Sequence, residues 1–459
     1  MDSIFKAYDI RGVYPDEIDA PKARRIGHAF ARYLPSHSSL LHNATHPLRI
    51  VIGHDMRGSS PVLASAFRDG ACQAGAEVID IGLCTTPMLY TALIDGQFDG
   101  GAMITASHLP ACYNGIKLCR QQAIPLSGAD GLPEVEALYA KTPPLPVGAA
   151  AARLAEAFLE RYIERLRPFI PADARVKCVV DAGNGMGGLD TPQVFERMPQ
   201  ADLISMYFEP DGHFPHHVPN PAEEQNTREL QQRVISAKAN LGVALDGDAD
   251  RAGFIDEHGR RAPADLMIAV LAEHFLALNP GATILYDLRA SRAVPERIHE
   301  LGGNPVQTRV GHSFIKQAMR EHKAVFAGEM SGHYYFADAG YIDSGIHALL
   351  TAVALLHAKS APLSELISPL ARYARSGEIN LGVEDAAAVI DSLKKSFADG
   401  EQSTLDGLSV HYPDWWFNLR PSHTEPVVRL VIEANDEATL ELRKAQLLAL
   451  IGSDPLRAE

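Results

Sequence analysis

Asp246, Asp248 and Asp250 stand at positions i, i+2 and i+4 of the run DGDADR, directly after the apolar stretch LGVAL. Carboxylates spaced in this way on a turn can converge on one hard cation, the oxygen-rich coordination that Mg²⁺ or Ca²⁺ requires. Without a cation, three acids crowded at a strand end repel one another. An EF-hand loop is the sharper competitor, since Asp246, Asp248, Asp250 and Glu257 occupy its positions 1, 3, 5 and 12. It fails at position 6, where Arg251 replaces the required glycine, and in its flanks, which read as strands rather than helices.

A second run, TASH, places Ser107 beside His108, with Asn114 and Lys117 following. An isolated Ser-His pair is more often a capping serine next to a structural histidine, and no GxSxG elbow is present. Beside a three-carboxylate metal site, however, a serine makes sense as a phosphoryl carrier. Phosphate near three carboxylates is tolerable only with a divalent ion and cations around it, and Arg251 and Lys117 are suitable cations. RPSHTEP, at Arg420 to Pro426, offers a guanidinium, the hydroxyls of Ser422 and Thr424 and the His423 imidazole in one turn. It reads as a phosphate cradle or as an ordinary ST-rich turn. VGHSFIK puts His312 and Ser313 near a helix start, suited to an anion or to a simple cap. GEMSGH supplies Glu329 and Ser331 for sugar hydroxyls and His333 for proton transfer. KAYDIRG carries Tyr8 and Arg11 on a loop, where a solvated arginine is the plain alternative.

Three times the chain shows an apolar strand ending in aspartate, a polar loop and a helical pattern: LRIVIGHDMRGSSPVLASAF, VKCVVDAGNGMGGL and ATILYDLRASRAVPERI, with Asp55, Asp181 and Asp287 at the strand ends. In the first, Ser59 or Ser60 can cap the helix, Pro61 suits its first turn, and Val62, Leu63, Ala66 and Phe67 fall on one face. A second strand (EVIDIGL, LISMYFE, NPVQTRV) and a third (GGAMIT, LGVAL, AVFAG) follow each time, so three related α/β domains are the simplest explanation. Open parallel sheets bind ligands beyond the carboxyl ends of their strands. There the third strands run into ITASHLPACYNGIK, DGDADR and GEMSGH, which predicts one shared cleft. TPPLPVGAAAA reads as a linker into a helix over Arg153 to Leu166. The expected domains are 1–148, 149–252, 253–369 and a smaller α+β domain over 370–459, with strands around Val427 to Glu433 and a last helix from Asp436 to Leu450.

At 459 residues the chain exceeds one core, since cores stop growing near roughly 250 to 300 residues. With 46% hydrophobic and 22% charged residues and no run near the ~18 apolar residues of a membrane span, it reads as a globular protein without a membrane partner. No signal-peptide pattern opens it, and five cysteines without CxxC spacing read as reduced cytoplasmic thiols. A net charge of -15 argues against nucleic acid and makes each local positive cluster informative.

Taken in order, YDIRG, TASHLPACYNGIK, DGDADR, VGHSFIK, GEMSGH and RPSHTEP closely resemble the α-D-phosphohexomutase superfamily along essentially the whole chain. The likeness is to its bacterial phosphomannomutase/phosphoglucomutase group, because glucosamine-phosphate mutases usually carry GEQSGH where this chain has Met330. The resemblance implies three doubly wound α/β domains and a smaller fourth around a central cleft: a phosphoserine, a metal-binding, a sugar-binding and a C-terminal phosphate-binding domain. It implies a monomer acting on small sugar phosphates, with Ser107 as carrier and Mg²⁺ held by Ser107, Asp246, Asp248 and Asp250. His108, Lys117, Arg251 and His333 complete the catalytic set, with Lys117 and His333 as proton-transfer candidates. Glu329 and Ser331 hold the sugar. Arg420, Ser422, His423 and Thr424 hold the phosphate that is not reacting, and Tyr8, Arg11, Arg289 and His312 match further cleft residues. Hexose 1,6-bisphosphate is the implied intermediate and activator. Leu109, Arg289 and His423 depart from the common pattern; Arg289 keeps the charge of the usual lysine as a fork rather than a point, and His423 brings a pH-sensitive group. The alternatives are a phosphoglucosamine mutase, a metal-dependent sugar phosphatase and a non-catalytic sugar-phosphate sensor. A separate phosphate cradle favours transfer over hydrolysis, and a sensor needs no three acids beside a nucleophile.

Overall fold

The computed structural model describes residues 4–38, 47–148, 153–154, 158–421 and 427–453. Three of its sheets repeat one topology. In the first, Arg49–His54 lies between Glu77–Leu83 and Gly100–Ile104, all parallel, and Tyr113–Arg120 pairs antiparallel on the outer side of Gly100–Ile104. Lys177–Asp181, Asp202–Met206, Leu241–Leu245 and antiparallel Ala252–Ile255 repeat this order. Thr283–Asp287, Asn304–Thr308, Phe326–Gly328 and antiparallel Tyr334–Phe336 repeat it again. Leu241–Leu245 is buried at every position, as expected of a parallel strand covered on both faces. The fourth sheet is wholly antiparallel, in the order Ala374–Gly382, Val427–Ala434, Trp415–Pro421, Leu408–His411, Glu401–Ser403. The fold is therefore three related α/β domains and a smaller α+β domain.

The antiparallel fourth strand of each unit changes the local picture. ITASHLPACYNGIK reads in sequence as one loop, yet Tyr113–Arg120 is a strand whose interior is buried. Each chemical loop is thus a tight connection between a parallel strand and the antiparallel strand that returns beside it. The expected helix over 153–166 also differs: Arg153–Leu154 extends the first sheet beside Ile79 and Asp80, and the helix begins at Phe158. Its buried stripe, Tyr162, Ile163 and Leu166, starts only there, while the sheet edge captures the preceding backbone. Ser59 takes the N-cap position of the helix Ser60–Gln73 without a side-chain cap bond. Its hydroxyl accepts from Asn114 instead, and that of Ser60 donates to Asp55. Leu63, Ala66 and Phe67 face the core, but Val62 is 47% exposed.

One apolar cluster runs through the first three domains, joining Leu89 and Met103 to Val180 and Leu245 and on to Phe326, Leu349 and Val353. The C-terminal domain has its own core around Trp415, Phe417 and Leu430. No single helix among the described residues is long and apolar enough to cross a membrane. His347 sits inside the shared cluster, its ring 3.9 Å from that of Phe336 and 4.3 Å from that of Phe169. Burial, with His274 nearby, pushes its imidazole down to about 3. The unfolded chain therefore binds a proton more readily than the native one below the usual value of about 6.5, so this residue's contribution is intact above pH 6.5 and is lost as the pH falls toward 3. At about 1.4 kcal/mol per unit, the loss reaches a few kcal/mol. Replacing His347 by Gln should flatten the fall of thermal midpoint between pH 7 and pH 4, measured by circular dichroism in a set of buffers of constant ionic strength.

Candidate active site

The same short device ends the first strand of each α/β domain. A carboxylate oxygen of Asp55 accepts from Arg57 N at 3.0 Å, Asp181 from Gly183 N at 2.8 Å and Asp287 from Arg289 N at 2.8 Å. An aspartate that caps the backbone two residues on turns the chain sharply at the strand end. The loops that follow then face the same cleft.

Ser107 is 1% exposed and has a φ of 51°, the left-handed region that a non-glycine residue rarely occupies. Arg57 holds this strained turn from beneath. Its guanidinium pairs with Asp55 at 3.1 Å and donates to the carbonyls of Ser107 at 2.9 Å, Leu109 at 2.6 Å, Pro110 at 2.7 Å and Tyr113 at 3.1 Å. Leu109 thus serves through its backbone. The Ser107 hydroxyl donates to Asp246 Oδ2 at 2.7 Å, and His108 Nδ1 lies 3.1 Å from it. Burial, then Arg251 and Arg11, keep the His108 imidazole well below its ordinary value, hence neutral near pH 7.

The acidic turn closes on itself, because Asp246 Oδ1 accepts from the backbone N of Asp250 at 3.0 Å and of Arg251 at 3.1 Å. Lys117 reaches across from the first domain to Asp248 Oδ2 at 2.7 Å and Asp250 Oδ2 at 2.5 Å, and the Thr86 hydroxyl donates to Asp248 Oδ2 at 2.6 Å. Ligand atoms of the three acids lie within 4.8 Å of one another. Asp248 Oδ1 and Asp250 Oδ1 are buried without a hydrogen bond among the described residues, although His333 Nε2 stands 3.4 Å from the latter. Three buried carboxylates with ligand atoms this close, two of them carrying an oxygen without a hydrogen bond among the described residues, fit a divalent cation. Burial, and the facing carboxylates of Asp250 and Asp248, push Asp246 well above the ordinary carboxyl range. Glu257 is not part of the turn; its carboxylate accepts from Ser364 N at 3.3 Å, which removes the EF-hand reading.

From the third domain, Glu329 accepts from the Tyr335 hydroxyl at 3.1 Å and from Gly311 N at 3.2 Å. His333 Nδ1 is 2.9 Å from the Ser331 hydroxyl, and its Nε2 lies 3.3 Å from Arg251 Nε and 3.4 Å from Asp250 Oδ1. Burial and Arg251 would lower the His333 imidazole, but Asp250 and Glu329 hold it up at about 9. His312 opens the helix His312–His322, and Tyr8 packs against the preceding Gly311 with its hydroxyl donating to Val310 O at 3.2 Å. Arg11 pairs with Asp9 at 2.7 Å. Arg289 is clamped by Asp287 at 2.8 Å and meets Glu378 at 3.2 Å, where Arg420 arrives at 3.0 Å. Ser422, His423 and Thr424 lie outside the described residues.

Arg57, Thr86, Tyr335 and Glu378 are the contributors that the sequence patterns did not single out. Only Arg57 had a visible signal, as the second residue after a strand-ending aspartate in HDMRG. The others come from distant segments whose partners only the docked domains reveal.

Three α/β domains offer one loop each, and a fourth brings arginines beside them. Comparison with known proteins places this arrangement among the isomerases that move phosphoryl groups on hexose phosphates. The chain belongs to the phosphoglucomutase/phosphomannomutase family: residues 2–144, 160–259 and 263–373 match its alpha/beta/alpha domains I, II and III, and residues 378–450 its C-terminal domain. It is 36% identical to a phosphomannomutase of Escherichia coli over 97% of this chain and 98% of the relative. A phosphohexose mutase of Xanthomonas campestris is 37% identical over the same shares. The crystal structure of a phosphoglucomutase/phosphomannomutase family protein from Burkholderia thailandensis superposes with a TM-score of 0.87 at 33% identity, covering 98% of both chains. An Aspergillus fumigatus N-acetylphosphoglucosamine mutase, in complex with GlcNAc-6P and magnesium, shares the fold with a TM-score of 0.64 at 15% identity, over 97% of this chain and 95% of that one.

Gly247 presses on Ser107: a Cβ there would lie 2.3 Å from Ser107 O. Gly247→Ala must shift the serine or the acidic turn by a good fraction of an ångström. Misplacement on that scale can cost about a hundredfold in rate, so kcat in a coupled mutase assay should fall by roughly that factor while the circular dichroism spectrum stays that of the parent.

Proposed function

We propose that this phosphohexomutase interconverts the 1- and 6-phosphates of mannose and glucose through phosphorylated Ser107 and a hexose 1,6-bisphosphate. The observation that carries the reading is the buried Ser107 hydroxyl 2.7 Å from Asp246, in a turn where oxygens of Asp248 and Asp250 lack a hydrogen bond among the described residues. Ser107, Asp246, Asp248 and Asp250 would hold Mg²⁺, in line with the magnesium named for the Aspergillus enzyme. When bound, the ion supplies charge neutralisation around the transferring phosphoryl group.

The phosphoryl group passes from Ser107 Oγ to the free hydroxyl of the sugar phosphate, so one P–O bond breaks as another forms. The sugar hydroxyl gives up a proton and Oγ takes one. His108 stands 3.1 Å from Oγ, and Lys117 and His333 face the acidic turn from opposite domains; these three are assigned the proton transfers. Arg251 lies 3.8 Å from Asp246 and offsets charge at the transfer point. Glu329 and Ser331 grip the sugar, with Tyr8, Arg11 and His312 lining the cleft. Arg289, Arg420 and the loop bearing Ser422, His423 and Thr424 hold the resting phosphate. The bisphosphate then turns round and returns its other phosphoryl group to Ser107; added bisphosphate activates by recharging the serine.

In this scheme residues 1–148 carry the phosphoserine, 149–252 the metal, 253–369 the sugar and 370–459 the distal phosphate. All five cysteines are free, which supports a reducing cytoplasmic setting for an enzyme acting as a monomer on small sugar phosphates.

Ser107→Ala should lose nearly all turnover, and intact-mass analysis of purified parent protein should find a phosphorylated fraction that the variant lacks. EDTA should silence the enzyme reversibly, with Mg²⁺ restoring it; a variant retaining parental kcat, or full activity in excess chelator, would defeat the covalent metal-assisted scheme.

Glu329 and Ser331 are assigned to hydroxyls common to the two sugars, leaving the C2 configuration unread. A site that merely tolerates a group separates substrates by about 10² or less, whereas one that hydrogen-bonds it reaches about 10⁴ to 10⁵. The kcat/KM ratio for glucose 1-phosphate and mannose 1-phosphate should stay within roughly two decades, and Glu329→Ala should lower both together.

A further inference from the structure

Glu378 occupies an unusual place. It follows a bulge in the strand Ala374–Gly382, where the register shifts between Arg375 and Glu378, and its carboxylate faces the third domain. Oε2 accepts from Arg420 Nη2 at 3.0 Å and from Arg289 Nη1 at 3.2 Å, while Arg429 Nη1 stands 3.5 Å from Oε1. Three guanidiniums from two domains thus converge on one carboxylate. Two of the arginines lie behind it: the side chains of Arg420 and Arg289 are 3% and 7% exposed, against 23% for Glu378 and 24% for Arg429. Arg420 Nε is buried and lacks a hydrogen bond among the described residues.

Arg289 is also held by Asp287 at 2.8 Å and Glu329 at 3.4 Å, so what Glu378 adds is one carboxylate oxygen shared between Arg289 and Arg420. A carboxylate offers two oxygens and a single charge to planar forks of five N–H donors each. A phosphate dianion offers three terminal oxygens and up to twice the charge, and guanidiniums bind it in bidentate fashion. Removing Glu378 would free donors on Arg420 and Arg289 for an incoming phosphate, yet would also remove the carboxylate that ties the two together.

We propose that Glu378 is a positioning residue that holds Arg289 and Arg420 together between turnovers and competes with the substrate's phosphate for them. This rests on the reading above that Arg289 and Arg420 take the resting phosphate. Binding is then an exchange of one anion for another rather than a simple capture. Such an exchange suits a cycle in which the bisphosphate must let go at its far end in order to turn round. The carboxylate weakens the grip, and it keeps the two arginines in register while the far end of the cleft is empty.

The test uses the full-length enzyme, with inorganic phosphate as a competitive inhibitor of the mutase reaction. Glu378→Gln keeps size and loses charge. Its inhibition constant for phosphate and its KM for hexose phosphate should both fall by about fivefold or more, the scale of a charge-assisted hydrogen bond. Its kcat should fall with them, because release of the distal phosphate slows. A carboxylate that merely cements the domains gives the opposite sign, a raised inhibition constant and KM, and that result or an unchanged constant overturns the proposal. Glu378→Asp, which keeps the charge one methylene further back, should fall between parent and Gln; it decides the matter if the Gln variant does not fold, and an inhibition constant equal to or above the parent's then overturns the proposal. Arg420→Ala should raise the inhibition constant in the same assay. If it leaves the constant unchanged, the phosphate cradle itself is misassigned and the proposal falls with it. That failure is distinct from one in which Arg420→Ala weakens phosphate binding but Glu378→Gln does not strengthen it.

Discussion

Three carboxylates buried within a few ångströms of one another are the constraint around which this molecule is arranged. Asp246, Asp248 and Asp250 are all essentially inaccessible to solvent, and water cannot screen their repulsion there. Compensation comes from outside their own domain, from Lys117 of the first domain and His333 of the third, together with the adjacent Arg251. Backbone bonds fix the three loops in that relation. Thr86 N donates to Asp248 O at 3.0 Å, Ala252 N to Gly332 O at 3.0 Å and Gly345 N to Ala249 O at 3.0 Å. The cleft is therefore a product of domain docking, and the apolar cluster that runs unbroken through the three domains holds the docking in place.

The fourth domain is joined by different means. Its core is separate, and much of its contact with the third domain is ionic. Arg292 pairs with Glu433 at 3.3 Å, Arg375 with Asp265, and Arg289 with Glu378. A charged seam is cheaper to open and close than an apolar one, since both faces are well solvated when apart. The two kinds of junction differ accordingly: the loops around the acidic turn are fixed by apolar packing between domains, and the fourth domain is joined through charged pairs.

Much of this was legible in the chain. The strand-ending aspartates, the repeated βα pattern and the acidic run are local features, set by hydrophobic periodicity and by what a short side chain can do to its own backbone. Those influences act within a few residues, so the fold class, the repeat and the loops that carry Ser107, the acids and Glu329 follow from sequence. Errors also arose locally, where neighbours at a distance won: Arg153–Leu154 joins a sheet edge instead of a helix, and Ser59 and Ser60 serve Asn114 and Asp55 instead of capping.

What the sequence by itself determined is the inventory of reactive groups and the strand ends on which they ride. Tertiary structure alone decided their partners. That Lys117 answers Asp248 and Asp250, that Arg57 braces Ser107 over four carbonyls, and that Glu378 gathers arginines from two domains are facts of contact across 42 to 133 residues of chain. Electrostatic interactions and hydrogen bonds are short-ranged in space and indifferent to separation along the chain, so no pattern of residue types announces them before the domains close.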